Sequence, residues 1–393
     1  MVGISAKACA MPSPVRPKMM FLVTEDWYFW AHRLPQARAA RDAGFAVAVA
    51  TRVTGHGALI VGEGFALHPL GWRRGSASPL DGLRAIAEIT SLYRRERPEI
   101  VHHVSQKPIL IGSLAALLSG RRRIVNAFTG LGFIFASADG QTRLIRLGIL
   151  TVLRLAATHP GMRILVENPD DGARLRRLKV APADRIILIR GSGVDLARYE
   201  LLPEPAAPPV VIGCATRMLR IKGVAELVAA YRRLRERGSS AVLLLAGAAD
   251  PENPASIPAD QLRAWATEPG VEWAGHVDDV RNVWRRAHIA VLASQGGEGI
   301  PMSLMEAAAC GRPMIATDVP GCREIVVPGE TGLLVAPGNI DALADALDRM
   351  IGDAELRKKC GEAARLRVAQ GLDAVTVGRQ TVEVYRALMA AAA

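Results

Sequence analysis

Two glutamates and two basic residues stand at spacings suited to holding an anionic ligand that also carries hydroxyl groups. In EGIPMSLMEAAACGRPMIATD, residues 298–318, Pro301 lies where a helix begins, Gly311 where it ends and Pro313 beyond that end. The spacing predicts a short buried helix over residues 302–310 whose only charge is Glu306. An ionised carboxylate on an apolar helix is costly unless a polar group pairs with it, so Glu306 is expected to meet a ligand hydroxyl or a fixed arginine. Glu298 precedes the same helix, and the two carboxylates can hold opposite ends of one extended ligand. The plainer reading has Glu298 solvated and Glu306 in a structural ion pair. The turn Gly299, Ile300, Pro301, Met302 presents the free N–H groups of a helix start, which attract phosphate. Upstream, ATRMLRIKG places Arg217 directly after a strand and Lys222 just ahead of a helix. Two cations fixed in such a turn can grip a diphosphate and stabilise its charge as it departs, although a solvated loop carries the same residue types.

The elements that must position these groups follow a repeating pattern. MFLVTED (20–26) reads as an opening strand, RLPQARAARDAG (33–44) as a helix closed by glycine, and FAVAVATRV (45–53) as a second strand. Further strands are expected at 98–104, 123–127, 164–167 and 185–189. Then LLPEPAAPP (201–209) has four prolines in nine residues, which neither a helix nor a sheet interior tolerates, and it reads as a linker. A second series begins with VVIGCATR (210–217), continues through AVLLLAG (241–247), 287–293 and PMIATD (313–318), and ends in helices. Alternating strands and helices of this kind specify an α/β protein with parallel sheets, here two Rossmann-like doubly wound domains facing across a cleft. The expected organisation is a loose tail at 1–19, a first domain at 20–200, the linker, a second domain at 210–370, and a C-terminal helical segment at 371–393 placed to cross back to the first domain.

Composition narrows the function classes. The chain has 393 residues, half of them hydrophobic and 22% charged, which fits two folded cores rather than disorder. Its five cysteines fall in no metal-ligand spacing, and a reducing cytoplasm is the expected compartment. The first 18 residues lack the apolar stretch of a secretory signal, and translation from Met19 or Met20 is an alternative start. No apolar run reaches the roughly 18 residues of a membrane span. Residues 1–200 hold 28 Lys+Arg against 15 Asp+Glu (+13), and residues 201–393 hold 21 against 23 (−2). The basic half suits an anionic partner such as a membrane surface or a lipid diphosphate, and the expected location is cytoplasmic, peripheral on the inner face of the membrane. RLIRLGILTVLRLAATHPGM (143–162) reads either as an interfacial helix with arginines on phosphates or as a core helix with snorkelling arginines. Basic residues are not interleaved with aromatics, which argues against nucleic acid. No G-x-G-x-x-G joins the first strand to its helix, which disfavours a dinucleotide oxidoreductase.

Taken together, these motifs resemble glycosyltransferase family 4 and its GT-B fold. The resemblance runs through R-x4-K-G at 217–223, AVLLLAG, WAGHVDDV (273–280), the Glu298 and Glu306 pair, and GETGLLVAPGN (329–339). It implies that Arg217 and Lys222 hold the donor diphosphate, Glu298 the donor sugar hydroxyls and Glu306 the ribose. It also places His276 and Val277 against the base, and Gly299, Ile300, Pro301 and Met302 along the donor. TEDWYFWAHRLPQARAA, VHHVSQKPILIGSLAA, NAFTGLGFIF, VENPDD and GSGVDLARY are similar to a subgroup acting on lipid-linked, undecaprenyl diphosphate oligosaccharides. That similarity puts His102, His103, Lys107, Gly130, Leu131 and Gly132 at the cleft near the acceptor, with His103 as a catalytic candidate beside Glu298, Arg217 and Lys222.

The expected activity is retaining transfer of a hexose from a nucleotide-sugar donor, probed as a UDP-sugar, to a glycan or lipid-diphosphate-sugar acceptor. No metal or other cofactor is expected, since no D-x-D triplet occurs. A sugar-nucleotide epimerase on the same scaffold and a non-catalytic nucleotide-sugar or lipid-binding protein are the competing readings.

Overall fold

The computed structural model describes residues 16–72, 74–75, 78–132 and 140–391; most of the expected tail and residues 133–135 of NAFTGLGFIF lie outside the described residues. The first domain is built on β1 (Lys18–Glu25), β2 (Ala46–Arg52), β3 (Ala66–Pro69), β4 (Ile100–Val104), β5 (Ile124–Phe128), β6 (Met162–Val166) and β7 (Ile186–Leu188). They form one parallel sheet in the order β3-β2-β1-β4-β5-β6-β7. The second domain uses β8 (Val211–Ala215), β9 (Val242–Ala246), β10 (Val271–Trp273), β11 (Ile289–Leu292), β12 (Met314–Thr317) and β13 (Gly332–Val335). Its parallel order is β10-β9-β8-β11-β12-β13. Helices cover both faces of such sheets, so the strands are apolar on both sides: Met19, Met20, Phe21, Leu22 and Val23 are all buried in β1.

In each sheet the strand order reverses beside the domain's first strand, β1 or β8. A crevice opens there at the carboxyl ends of the strands, where ligands of α/β proteins bind. Arg217 follows β8, and Glu298 follows β11, its neighbour across that reversal.

Two features tie the domains together. Val194 and Tyr199, upstream of the proline-rich segment, already pack in the core of the second sheet with Leu304 and Met305. Packing thus changes hands earlier than composition does. The terminal helix Ala374–Ala390 returns to the first domain and lays Val377, Val384, Tyr385 and Leu388 into a cluster with Met19, Phe21 and Phe29. It lies close on the helix Leu34–Asp42: a Cβ on Gly378 would stand 2.8 Å from that of Ala39.

The arginine-rich helix packs one side on the first core and leaves Leu147 and Leu155 exposed on the other. Gly140–Ala156 buries Ile149, Leu150 and Leu153 in the first core, while Arg154 reaches out to donate to Leu178 O at 2.7 Å. The helix predicted at 302–310 is observed at Met302–Ala309. Preceding Leu34–Asp42 is a further helix, Asp26–His32, which the sequence pattern did not reveal.

Candidate active site

Lys222 ends a short 3-10 turn, Arg220–Lys222, and Gly223 follows at φ 70°. Any Cβ there would lie 1.8 Å from Ala293 O, so only glycine lets this turn close on the end of β11. The turn brings Lys222 Nζ to both carboxylate oxygens of Glu298, at 2.7 and 2.8 Å. Ser294 Oγ donates to the same carboxylate at 2.6 Å. Glu298 is therefore fixed between a cation and a hydroxyl rather than solvated. Glu306, half-buried on its apolar helix, meets neither arginine nor lysine; it accepts from the Tyr199 hydroxyl at 2.7 Å. Burial pushes its carboxyl up to about 7, against the Tyr199 hydrogen bond and the charge of Arg198.

A cavity of about 480 Å³ runs along this face, a volume within the usual range for a small-molecule site. Arg217, Asp250, His276, Val277 and Glu306 line it from the second domain, and Trp27 and Arg74 line it from the first. His276 is exposed, with Nε2 3.3 Å from Asp278 Oδ1.

The first domain grips the loop that carries Glu298. Gly299 N donates to Thr129 O at 3.2 Å, Ile300 N to Glu167 Oε2 at 3.2 Å, and Asn168 Nδ2 to Glu298 O at 3.4 Å. Thr129 follows β5, while Glu167 and Asn168 follow β6. Behind them Arg33 Nη2 donates to Glu167 Oε1 at 2.9 Å in a buried pair. Burial raises the Glu167 carboxyl, with Arg33 opposing. The approach needs glycines, since a Cβ on Gly130 would stand 2.3 Å from Gly297 O. These contacts correct one expectation: the N–H groups of Gly299 and Ile300 are bound to the first domain, not open to a phosphate.

Family comparisons agree with this geometry. Residues 209–353 match the model for glycosyl transferases group 1, and residues 18–157 match the glycosyl transferase 4-like model. The chain belongs to the GT-B glycosyltransferases. It is 24% identical over 318 residues to the capsular polysaccharide biosynthesis glycosyltransferase CapM of Staphylococcus aureus, covering 78% of this chain and 81% of that one. It is 26% identical over 359 residues to the alpha-maltose-1-phosphate synthase of Mycolicibacterium smegmatis, covering 83% and 88%. Among solved structures, sucrose-phosphate synthase from Thermosynechococcus elongatus superposes with a TM-score of 0.78 at 22% identity, covering 96% of this chain and 100% of that one. HepE of Anabaena, in complex with UDP and glucose, gives 0.75 at 18%, covering 95% and 100%. At these identities the solved structures speak to the fold.

Within this glycosyltransferase the two histidines expected at the cleft are core residues. On β4, His102 and His103 point to opposite faces of the sheet and are buried. His103 Nδ1 donates to Asn126 Oδ1 at 2.8 Å and its Nε2 accepts from the Tyr93 hydroxyl at 3.0 Å. Burial pushes its pKa down to about 4, and both ring nitrogens are engaged inside the core rather than at the cavity. His102 Nδ1 lies 2.6 Å from the Tyr385 hydroxyl of the terminal helix. Lys107 is half-buried and reaches Arg74 O at 3.4 Å, close to the cavity. Gly130 and Gly132 do lie between the domains, against Gly297; Leu131 is buried, with its N–H on Asp171 Oδ2 at 3.2 Å.

Sequence reasoning missed Trp27, Arg74, Tyr199, Ser294 and Glu167. It also missed His32, whose ring lies 4.3 Å from that of Tyr28. Burial, with Arg33, Arg217 and Lys222 nearby, pushes its pKa down to about 3, so it stands neutral beside these cations. Trp27 and His32, Glu167 and Tyr199 did lie in the runs TEDWYFWAHRLPQARAA, VENPDD and GSGVDLARY.

Proposed function

We propose that this glycosyltransferase moves a hexose from a nucleoside diphosphate donor, a UDP-sugar, to a glycan or lipid-diphosphate-linked sugar, with retention of configuration and without a metal ion. The observation that carries the reading is the single cavity shared by Arg217, Val277 and Glu306, with the Lys222 and Glu298 pair held on the adjoining loops. A nucleoside diphosphate fits this arrangement with its base on His276 and Val277, its ribose on Glu306 and its phosphates toward Arg217 and Lys222. Glu298 then faces the sugar hydroxyls.

As the bond from the anomeric carbon to the phosphate oxygen breaks, the electron pair leaves with the diphosphate. Arg217 and Lys222 neutralise that charge while the sugar takes on oxocarbenium character. The acceptor oxygen forms its bond to the anomeric carbon on the face from which the diphosphate departs, and its proton passes to the departing phosphate oxygen. The capsular polysaccharide relative and the structure holding UDP and glucose favour a sugar nucleotide and a polysaccharide pathway. No described helix is long and apolar enough to cross a membrane, and we place the enzyme at the inner face of the cytoplasmic membrane on the strength of its basic first half.

The test is a panel of UDP- and GDP-sugars with a lipid-diphosphate-sugar acceptor, run with and without chelator, reading nucleoside diphosphate release. Release from one UDP-sugar, unaffected by chelator, is the expected result. Release that chelator abolishes and Mg²⁺ restores would remove the metal-free step.

A further inference from the structure

The first domain puts a cation of its own into the donor cavity. Arg74 lies in the segment between β3 and the helix Pro79–Glu96, its guanidinium 5.6 Å from the centre of the Trp27 ring. From there Nη2 donates to Asp250 Oδ2 at 2.8 Å, across the domain boundary. Arg217 Nη1 approaches the same carboxylate oxygen, at 4.0 Å. All three side chains line the one cavity. A single carboxylate oxygen therefore sits between two guanidinium groups supplied by the two domains. Together the three groups carry one net positive charge, with Glu25 and Glu252 acting on Arg74 from farther off.

Asp26, Glu25 and Glu252 accept their hydrogen bonds from groups other than Arg74. Asp26 accepts from the backbone N–H groups of Thr54, Gly55 and His56 at 2.9, 2.9 and 2.7 Å. Glu25 is held by Arg52 at 3.4 Å, and Arg52 in turn makes a bidentate pair with Glu252 at 2.9 and 3.0 Å. The Arg52 and Glu252 pair also spans the domains, next to Arg74 and Asp250.

We infer that Arg74 is a donor-phosphate residue contributed by the first domain, and that the donor diphosphate takes the place between Arg74 and Arg217 that the Asp250 carboxylate holds here. A diphosphate offers several charged oxygens to two forked guanidinium groups, where Asp250 offers one, so the exchange favours the ligand. The donor then replaces an interdomain ion pair with a bridge of its own, and the first domain senses whether the donor is bound. This inference rests on reading the cavity as the nucleotide site.

Calorimetric titration of UDP and of uridine into the wild-type enzyme and four variants tests it. Arg74→Ala is expected to weaken UDP binding about tenfold or more while leaving uridine binding unchanged, with Arg74→Lys recovering part of the loss. Asp250→Asn, which removes the competing carboxylate, is expected to tighten UDP binding. If Arg217→Ala loses UDP binding and Arg74→Ala does not, Arg74 has no phosphate role while the donor site stands. Equal losses for UDP and uridine in Arg74→Ala would reduce Arg74 to an interdomain strut. UDP binding unaffected in Arg217→Ala would overturn the donor reading and the inference together.

Discussion

On the proposed reading, Glu306 makes donor binding depend on pH. Its carboxyl titrates at about 7 because burial outweighs the Tyr199 hydroxyl and Arg198. Ribose hydroxyls donating to this carboxylate favour its charged form, so binding below that pKa must release a proton. Affinity for UDP should accordingly rise as pH goes from 6 to 8, and Glu306→Gln should flatten the rise; calorimetry in buffers of different ionisation enthalpy reads the proton directly. Glu306 and Glu298 were legible in the sequence because each interrupts an apolar or glycine-rich stretch in which a charge needs a reason. Their partners were not. Tyr199 precedes Glu306 by 107 residues, and no local spacing says that the two meet. The paired histidines misled for a related reason: an imidazole on a buried strand looks the same in sequence whether it faces a ligand or, as here, Asn126 and Tyr93.

Among the elements, the segments after β5 and β6 hold the loop from Glu298 to Ile300 in place. Glu167 is central to this, accepting from Ile300 N while paired with Arg33. Removing one partner of a buried pair strands the other, at a cost of about 3–5 kcal/mol. Glu167→Ala should therefore lose stability on that scale in urea unfolding. Glu167→Gln keeps an acceptor for Ile300 N and should lose less. Equal losses in the two variants would mean that the ion pair, not the grip on the loop, is what matters there. The strands were readable from their apolar runs, and Met302–Ala309 from the proline and glycine that bound it. Asp26–His32 was not, because DWYFWAH is rich in aromatic residues of modest helix propensity. Tertiary packing decides it: Phe29 packs edge-on against Phe21 and Phe65, with ring centres 5.6 and 6.3 Å away.

Over the whole molecule, two sheets become one enzyme through contacts that join distant parts of the chain, which is why composition marks the boundary at the prolines and packing marks it nearer Val194. The terminal helix has the largest stake in that union. Ending the chain at Gly371 would uncover Phe45 and the facing side of the helix Leu34–Asp42 and strip His102 of Tyr385. Each large apolar side chain exposed costs about 1.5–3 kcal/mol, so the shortened protein should fail to fold or melt far below the intact one in a thermal scan. The proposed catalysis depends on the same union, since Glu298 belongs to the second domain and its loop is held by the first. The most direct measurement is the rate of nucleoside diphosphate release from the sugar nucleotide, with and without acceptor, in the wild-type enzyme and in Glu298→Gln. The account predicts acceptor-dependent release in the wild type and a loss of about a hundredfold or more in the variant, with UDP affinity retained, because Glu298 faces the sugar and not the phosphates. Release at the wild-type rate in Glu298→Gln, or release indifferent to acceptor, would contradict it.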